Sequence, residues 1–357
     1  MERNQCLTAI RALAALAVFI SHCANAGLAP RVLGYGFGQI GVMLFFALSG
    51  FLMTALYAER PFDGKNVWSF FSARVGRVVP LFFAVVLVSV ALTQATDGLW
   101  HYRLDSGLVV ARALLFIAAP YELWSIPVEV QYYVAFIVIW WALNQLRNWV
   151  LQVGLHLLLV AASLAGIVLA RRFGLQEGVL PYYSSLFLIG GAVAILSRQR
   201  WFMAAFDGRK GTVLGIVALA LFALNLPQLR SDLGLSFGGF LMRTWLDPLN
   251  IVAVTLLLAA AVHQVRPLRM ICIAPLIYLG DISYGFYLFH RPIVELMVHY
   301  QVASVVTAFG AFVLTLGITA GLAALSFEYF ERPMLRIVRD RLQARRANAR
   351  GPTARAS

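Results

Sequence analysis

Two ionisable side chains lie within the first apolar stretch of the chain, and their spacing places them on one face of a helix. Arg11 and His22 are eleven residues apart, which in an α-helix is three turns plus about 20° and about 16 Å along the axis. Ionisable groups inside a membrane cost about 2.5–3.5 kcal/mol each on insertion scales, so they are candidates for function. A neutral imidazole accepts protons near physiological pH, and His22 is therefore a candidate general base.

A second pair of arginines lies at the start of the third apolar stretch. Arg74 and Arg77 are three residues apart, close to one helical turn. Two guanidinium forks at this spacing suit a polyphosphate, because arginine binds phosphate with paired hydrogen bonds. Anchoring at the cytoplasmic membrane surface is the ordinary structural explanation for the same pair.

Two further residues are expected to meet His22 at one face of the membrane. Glu129 lies where the fourth apolar stretch begins, and His290 lies where the ninth ends. A carboxylate beside His22 would orient its imidazole and stabilise the imidazolium form, as the third member of a catalytic triad does. A structural explanation is also open for Glu129, since a carboxylate is favoured at a helix N-terminus.

The composition places these residues in a membrane protein. Hydrophobic residues make up 61% of the 357-residue chain and charged residues 13%. The mean hydropathy is +0.79, whereas soluble proteins are only about 45–50% apolar and about 25% charged. The apolar runs are continuous and lack the alternation of barrel strands. We therefore predict an all-α, polytopic integral membrane protein.

Apolar runs of about 20 residues, the length that crosses a bilayer, predict about ten transmembrane helices. The predicted spans are residues 7–27, 37–57, 78–95, 130–146, 150–170, 182–196, 212–226, 249–265, 271–289 and 302–325. A shorter apolar run, 107–119, is predicted to be an interfacial or re-entrant piece within a long loop. Residues 337–357 are rich in arginine and alanine and are predicted to form a basic, disordered cytoplasmic tail.

The positive charges predict the orientation. With the N-terminus inside, the cytoplasmic segments hold 20 of the 29 lysines and arginines and the outer segments hold eight, as the positive-inside rule requires. Both termini are therefore predicted to be cytoplasmic. The formal charge of +13 then reflects topology and contact with membrane lipids, and no nucleic-acid partner is expected. In a competing interpretation, residues 24–26 are a signal-peptide cleavage site, and cleavage there would remove both Arg11 and His22.

Six short motifs, spread from residue 7 to residue 336, resemble those of the acyltransferase-3 family. They are Arg11-x10-His22, GQIGVMLFFALSGFL at 38–52, FFSARVGRVVP at 70–80, LWSIPVEVQYY at 123–133, ISYGFYLFH at 282–290 and ERP at 331–333. Members of that family are bacterial integral membrane enzymes that acylate glycans of the cell envelope. Met43 and Val130 depart from the family pattern, but neither is assigned to chemistry here.

The resemblance implies a membrane-bound O-acyltransferase in the bacterial cytoplasmic (inner) membrane, with residues 1–336 as its membrane domain. Such an enzyme would transfer an acyl group, most often acetyl, from cytoplasmic acyl-CoA to a hydroxyl of a glycan or lipid-linked saccharide. Acyl-CoA would be a co-substrate, and no metal or permanently bound cofactor is expected. Arg11, Arg74 and Arg77 would hold the donor phosphates, while His22 and Glu129 would be catalytic.

The family motifs also imply side chains that contact substrate. These are Trp124, Ser125, Tyr133, Tyr287 and His290.

Two other functions are compatible with charges inside a membrane. A transporter or flippase for a lipid-linked glycan would also use them, although it should show inverted repeats or paired interrupted helices, which the sequence lacks. A bis-histidine haem protein could use His22 and His290 at matched depth. Haem binding would leave the Arg74–Arg77 pair without a function.

The predicted orientation can be tested by cysteine labelling. In a cysteine-free background, Lys65→Cys is expected to react with a membrane-impermeant maleimide only after the membrane is opened, because residue 65 is predicted to be cytoplasmic. Arg103→Cys, on the predicted outer side, serves as the control and should react in intact cells. Labelling of position 65 from outside would reverse the orientation.

Overall fold

The computed structural model describes residues 4–96, 99–173, 180–235, 244–338 and 340, and all regular structure among them is helical. The α-helices are α1 (Gln5–Asn25), α2 (Gly38–Tyr57), α3 (Gly64–Ala95), α4 (Gly107–Leu114), α5 (Ser125–Gln145), α6 (Trp149–Arg172), α7 (Ser184–Leu196), α8 (Arg200–Ala205), α9 (Gly208–Ala223), α10 (Pro227–Asp232), α11 (Pro248–Val262), α12 (Arg266–Met270), α13 (Ala274–Asp281), α14 (Ser283–His299) and α15 (Val302–Ser326). A π-helical turn, Phe327–Glu331, follows α15. Nearly all of the predicted tail lies outside the described residues.

The all-α, multi-pass architecture predicted from the sequence is confirmed. Among the residues that the structure describes, six stretches are long and apolar enough to cross a membrane: Gln5–Asn25, Arg31–Tyr57, Gly64–Ala95, Tyr121–Gln145, Trp149–Leu169 and Val302–Val338. Two further apolar helices, α7 and α11, are shorter. The 13 residues of α7 rise only about 20 Å, less than the bilayer core of about 30 Å.

The predicted ninth span, residues 271–289, is two helices in the structure. Helix α13 ends at Asp281 and α14 begins at Ser283. The Ser283 hydroxyl donates to the carbonyl oxygen of Gly280 at 2.9 Å, a local hydrogen bond that competes with helix continuation. Because α14 then runs on to His299, His290 lies inside this helix and not at its end.

Helix α3 begins well before the predicted third span. The Asp63 carboxylate caps it by accepting from the backbone N–H of Asn66 at 2.7 Å. The helix continues through Pro80 to Ala95. Arg74 and Arg77 are therefore fixed on a continuous helix, more than two turns from its start.

Glycines bring α2 and α7 into backbone contact. A Cβ atom on Gly50 would lie 1.9 Å from the carbonyl oxygen of Phe187, and one on Gly190 would lie 1.9 Å from that of Ala47. Only glycine fits at both places, as is usual where membrane helices pack closely. Because Ser49 precedes Gly50, this contact also fixes a side chain that takes part in the site described below.

Alanine substitutions should reveal this close contact. Gly50→Ala is expected to destabilise the protein by about 1–3 kcal/mol, because the added methyl group overpacks the α2–α7 interface. The control is Gly154→Ala on α6, where a Cβ meets nothing within 4 Å, and which should be neutral or stabilising. The measurement is the midpoint of thermal unfolding in detergent. Equal midpoints for the two variants would contradict the packing described.

Candidate functional site

A partly open cavity, which we call the arginine cavity, brings together the three arginines selected from the sequence. Arg11 of α1 and the pair Arg74 and Arg77 of α3 line it, and its volume is about 80 Å³. The Tyr284 hydroxyl donates to the carbonyl oxygen of Val78 at 2.7 Å and holds α14 against α3. The remaining walls come from α2, α5 and α14: Val42, Phe45, Phe46, Leu48, Ser49, Leu52, Ser125, Ile126, Glu129, Tyr133, Ser283 and Tyr287.

The three guanidinium groups line this cavity together with the Glu129 carboxylate, but none of them pairs directly with it. In the part of the chain that the structure describes, none of Arg11, Arg74 and Arg77 forms a salt bridge or a side-chain hydrogen bond. Like charges repel more strongly in a low-dielectric interior than in water. An anion that binds arginine forks, such as a phosphate, would relieve that repulsion.

Glu129 belongs to the arginine cavity and does not lie beside His22, so the predicted pairing of these two residues is wrong. Its Oε1 accepts hydrogen bonds from the Ser49 hydroxyl at 2.7 Å and from the Tyr133 hydroxyl at 2.8 Å. The reason is local. Helix α5 begins at Ser125, so Glu129 lies a full turn inside the helix, directed towards α2 and the cavity.

The carboxylate next to His22 is Glu122, which the sequence motifs did not select. Its Oε1 lies 3.7 Å from Nε2 of His22 and 3.4 Å from Nε of Arg291. Its Oε2 is hydrogen-bonded to Nε2 of His101 at 2.8 Å. Glu122 lies in the short helical turn that ends at Trp124. Its place directly before the motif at 123–133 is the one sequence signal that pointed to it.

A proline inside α14 fixes the loop that carries His101. Pro292 has no N–H to offer the carbonyl oxygen of Leu288. The hydroxyl of the buried Tyr102 donates to that carbonyl instead, at 3.0 Å. Tyr102 thereby ties its loop to α14 and holds the neighbouring His101 against Glu122.

His22 and His290 lie together, as the topology predicted. Their ring centroids are 5.1 Å apart, and Nδ1 of His290 is 2.6 Å from the carbonyl oxygen of Tyr287. Rings this close leave no room for a porphyrin between them, which argues against the bis-histidine haem alternative. We refer to His22, His290, Glu122, His101 and Arg291 as the histidine cluster.

Ser125 and Tyr287 lie between the arginine cavity and the histidine cluster. The Ser125 hydroxyl donates to the Tyr287 hydroxyl at 3.1 Å, which in turn donates to the carbonyl oxygen of Glu122 at 2.9 Å. Both side chains also line the cavity. The two environments are therefore adjacent, with this hydrogen-bonded pair at their boundary.

Among the predicted site residues, Trp124 belongs to neither the arginine cavity nor the histidine cluster. It packs in an aromatic cluster, with ring centroids 5.9 Å from Phe46, 4.6 Å from Tyr183 and 5.3 Å from Trp245. These contacts hold the turn that carries Glu122 against α2.

Comparisons with known proteins agree with the resemblance seen in the sequence. The acyltransferase-3 family model, described as an acyltransferase domain, matches residues 4–324. The chain is 24% identical over 368 residues to the O-acetyltransferase OatA of Staphylococcus aureus, covering 92% of this chain and 56% of that protein. It is 26% identical over 331 residues to the putative peptidoglycan O-acetyltransferase YrhL of Bacillus subtilis, covering 83% of this chain and 50% of that protein.

A shorter relative is matched over most of its length. The chain is 26% identical over 344 residues to nodulation protein 10 of Rhizobium leguminosarum bv. viciae, covering 87% of this chain and 85% of that protein. By contrast, the chain spans about half the length of the two O-acetyltransferases. No solved structure matches the chain. The family model covers about nine-tenths of the sequence, and the chain therefore belongs to the acyltransferase-3 family.

Proposed function

We propose that this protein transfers an acyl group from cytoplasmic acyl-CoA to a hydroxyl group of a cell-envelope glycan. The acyl group in this proposal is acetyl. The observation that carries the proposal is the arginine cavity, whose three arginines form no salt bridge among the described residues and which adjoins the histidine cluster. Membership of the acyltransferase-3 family and the names of two relatives as O-acetyltransferases support the same reaction.

The arginine cavity is the proposed donor site. Acyl-CoA carries ionised phosphates, and Arg11, Arg74 and Arg77 would bind them with charge-assisted hydrogen bonds. Glu129 faces the same cavity and is held by Ser49 and Tyr133. We therefore assign it to the electrostatic balance of the donor site. The excess of cations on the predicted cytoplasmic side supports entry of the donor from that side.

The histidine cluster is the proposed transfer site. His22 would take the proton of the acceptor hydroxyl as its oxygen attacks the thioester carbonyl carbon. A new C–O bond forms, the C–S bond breaks, and the departing thiolate leaves as the thiol after it receives from His22 the proton that His22 took from the acceptor hydroxyl. Glu122, at 3.7 Å, would stabilise the protonated ring of His22. It replaces Glu129 in the role expected from the sequence.

Substitution of Arg77 by lysine tests the donor site. Arg77→Lys keeps the positive charge but loses the two-pronged hydrogen bonding, so the KM for acetyl-CoA should rise about 10–100-fold, as expected for loss of 1.5–3 kcal/mol. Expression and thermal stability in detergent should stay near wild type. The control is Arg147→Lys at an exposed arginine outside the cavity. If the KM for acetyl-CoA is unchanged in a well-folded Arg77→Lys protein, the role of Arg77 is membrane anchoring and not donor binding.

Substitution of His22 tests the proposed reaction. Membranes that contain the protein would be incubated with radiolabelled acetyl-CoA and the N-acetylglucosamine–N-acetylmuramic acid disaccharide of peptidoglycan. His22→Ala should lower transfer by about 10²–10⁴-fold, the usual loss for a general base, while acetyl-CoA binding survives. Arg11→Ala should instead weaken donor binding, and high acetyl-CoA should restore part of its activity.

The exposed His299 at the end of α14 provides the matched control. His299→Ala should transfer at the wild-type rate. A correctly inserted His22→Ala protein that keeps more than about a tenth of wild-type activity would refute the role of His22. Wild-type membranes that transfer no label to any glycan would favour the transporter alternative.

A further inference from the structure

The ring of His290 has a buried nitrogen, Nε2, that can accept a hydrogen bond but has no partner among the described residues. A carbonyl oxygen can only accept, so the 2.6 Å contact with Tyr287 places the proton of the neutral imidazole on Nδ1. Nε2 therefore presents a lone pair. The side chain is 1% exposed, and Nε2 has no hydrogen-bond partner among the described residues.

A second buried nitrogen that has no hydrogen bond within the described structure lies on the next residue, Arg291. Nε of Arg291 faces Glu122 at 3.4 Å, but it is buried and makes no hydrogen bond within the described part of the chain. Leaving a buried polar atom unpaired costs about 1–3 kcal/mol, and native proteins keep few such atoms. Here, among the residues that the structure describes, an unpaired acceptor and a donor that has an ion-pair partner but no hydrogen bond occur on adjacent residues, both within the histidine cluster.

An unpaired imidazole nitrogen alone does not indicate a ligand, as His156 shows. Its Nδ1 is 2.9 Å from the carbonyl oxygen of Gln152 and its Nε2 is also unpaired. That nitrogen, however, is pressed against α7, where a Cβ on Gly191 would lie only 2.6 Å away. His290 differs because its ring stands against His22 and beside the charges of Glu122 and Arg291.

We propose that His290 is a specificity-determining residue whose Nε2 accepts a hydrogen bond from a second hydroxyl of the acceptor, near the hydroxyl that reacts at His22. The Nε–H group of Arg291 would donate a hydrogen bond to a neighbouring oxygen atom of the acceptor substrate. This inference rests on the proposed function and deepens it by assigning a residue to recognition of the acceptor. Because the two rings are in contact, both hydroxyls must lie on adjacent or nearby carbons. The acceptor is therefore a saccharide or similar polyol, and an isolated alcohol is a poor substrate.

The energetic consequence is strong discrimination. A substrate that lacks the second hydroxyl would leave Nε2 of His290 buried and unpaired in the complex. Sites built to hydrogen-bond a substrate hydroxyl reject the analogue without it by large factors, up to about 10⁴–10⁵. A role confined to packing of α14 would give no such discrimination.

The test compares acceptors that differ by one hydroxyl. The purified protein in nanodiscs would be assayed with acetyl-CoA and either the peptidoglycan disaccharide or its monodeoxy analogues, each lacking one hydroxyl. In the wild type, one analogue that retains the reacting hydroxyl should lose about 10²-fold or more in kcat/KM. The KM for acetyl-CoA should be unaffected by the choice of acceptor.

Two substitutions at position 290 then separate binding from packing. His290→Asn keeps an N–H group that can donate to the Tyr287 carbonyl but removes the Nε2 acceptor, so the discrimination should fall to about threefold or less. His290→Gln places an amide oxygen near the position of Nε2 and should keep much of the discrimination. His156→Gln is the matched control at the other buried histidine and should leave the ratio at its wild-type value.

The outcomes separate this inference from the proposed function. A wild-type protein that transfers acetyl groups equally well to all analogues with the reacting hydroxyl would overturn the inference alone. The inference would also be overturned if His290→Asn discriminated between acceptors as strongly as the wild type. Complete loss of discrimination in a folded His290→Gln protein would overturn it as well. Absence of transfer from the wild-type protein to the disaccharide and to every analogue would instead refute the proposed function, and the inference with it.

Discussion

The repulsion among three guanidinium groups around the arginine cavity is the constraint on which the site depends. Arg11, Arg74 and Arg77 reach that cavity from α1 and α3, and the described structure supplies no carboxylate at salt-bridge distance from them. Charged side chains such as these raise the free energy of inserting a helix into the membrane. The α1–α3 arrangement therefore gathers three positive charges around one cavity, where the Glu129 carboxylate is held by Ser49 and Tyr133.

The second organising feature is the direct contact between two chemically different environments. Tyr287 takes part in both: its ring lines the arginine cavity, while its carbonyl oxygen fixes the ring of His290. Its hydroxyl binds the backbone of Glu122, the residue whose carboxylate faces His22. The arginine cavity and the histidine cluster are thus connected through one side chain, so the proposed donor site and the proposed transfer site are in direct contact.

The sequence predicted features that follow from local periodicity and missed those that depend on tertiary contacts. Arg11 and His22 share one helix, α1, as their spacing required, and the all-α membrane architecture follows from composition. The direction of Glu129 depended on where α5 begins, and the break at Ile282 depended on a hydrogen bond of Ser283. Glu122 lies in a turn, where no periodicity indicates which way a side chain points, so only the assembled structure could pair it with His22.

The glycine contacts of α2 have a mechanical consequence for substrate passage. Backbone atoms of α2 touch α7 at Gly50 and α1 at Gly41, where an added Cβ would lie 2.3 Å from the carbonyl oxygen of Ala14. A helix clamped on two sides cannot slide or rotate without breaking these contacts. The wall that carries Ser49 is therefore stiff. A passage from the arginine cavity to the histidine cluster would require rotation of the Phe45 and Tyr287 rings, which touch edge to face at 6.2 Å, and loss of the Tyr287 hydrogen bond to the Glu122 carbonyl. Such side-chain motion would leave the backbone contacts of α2 with α1 and α7 unchanged.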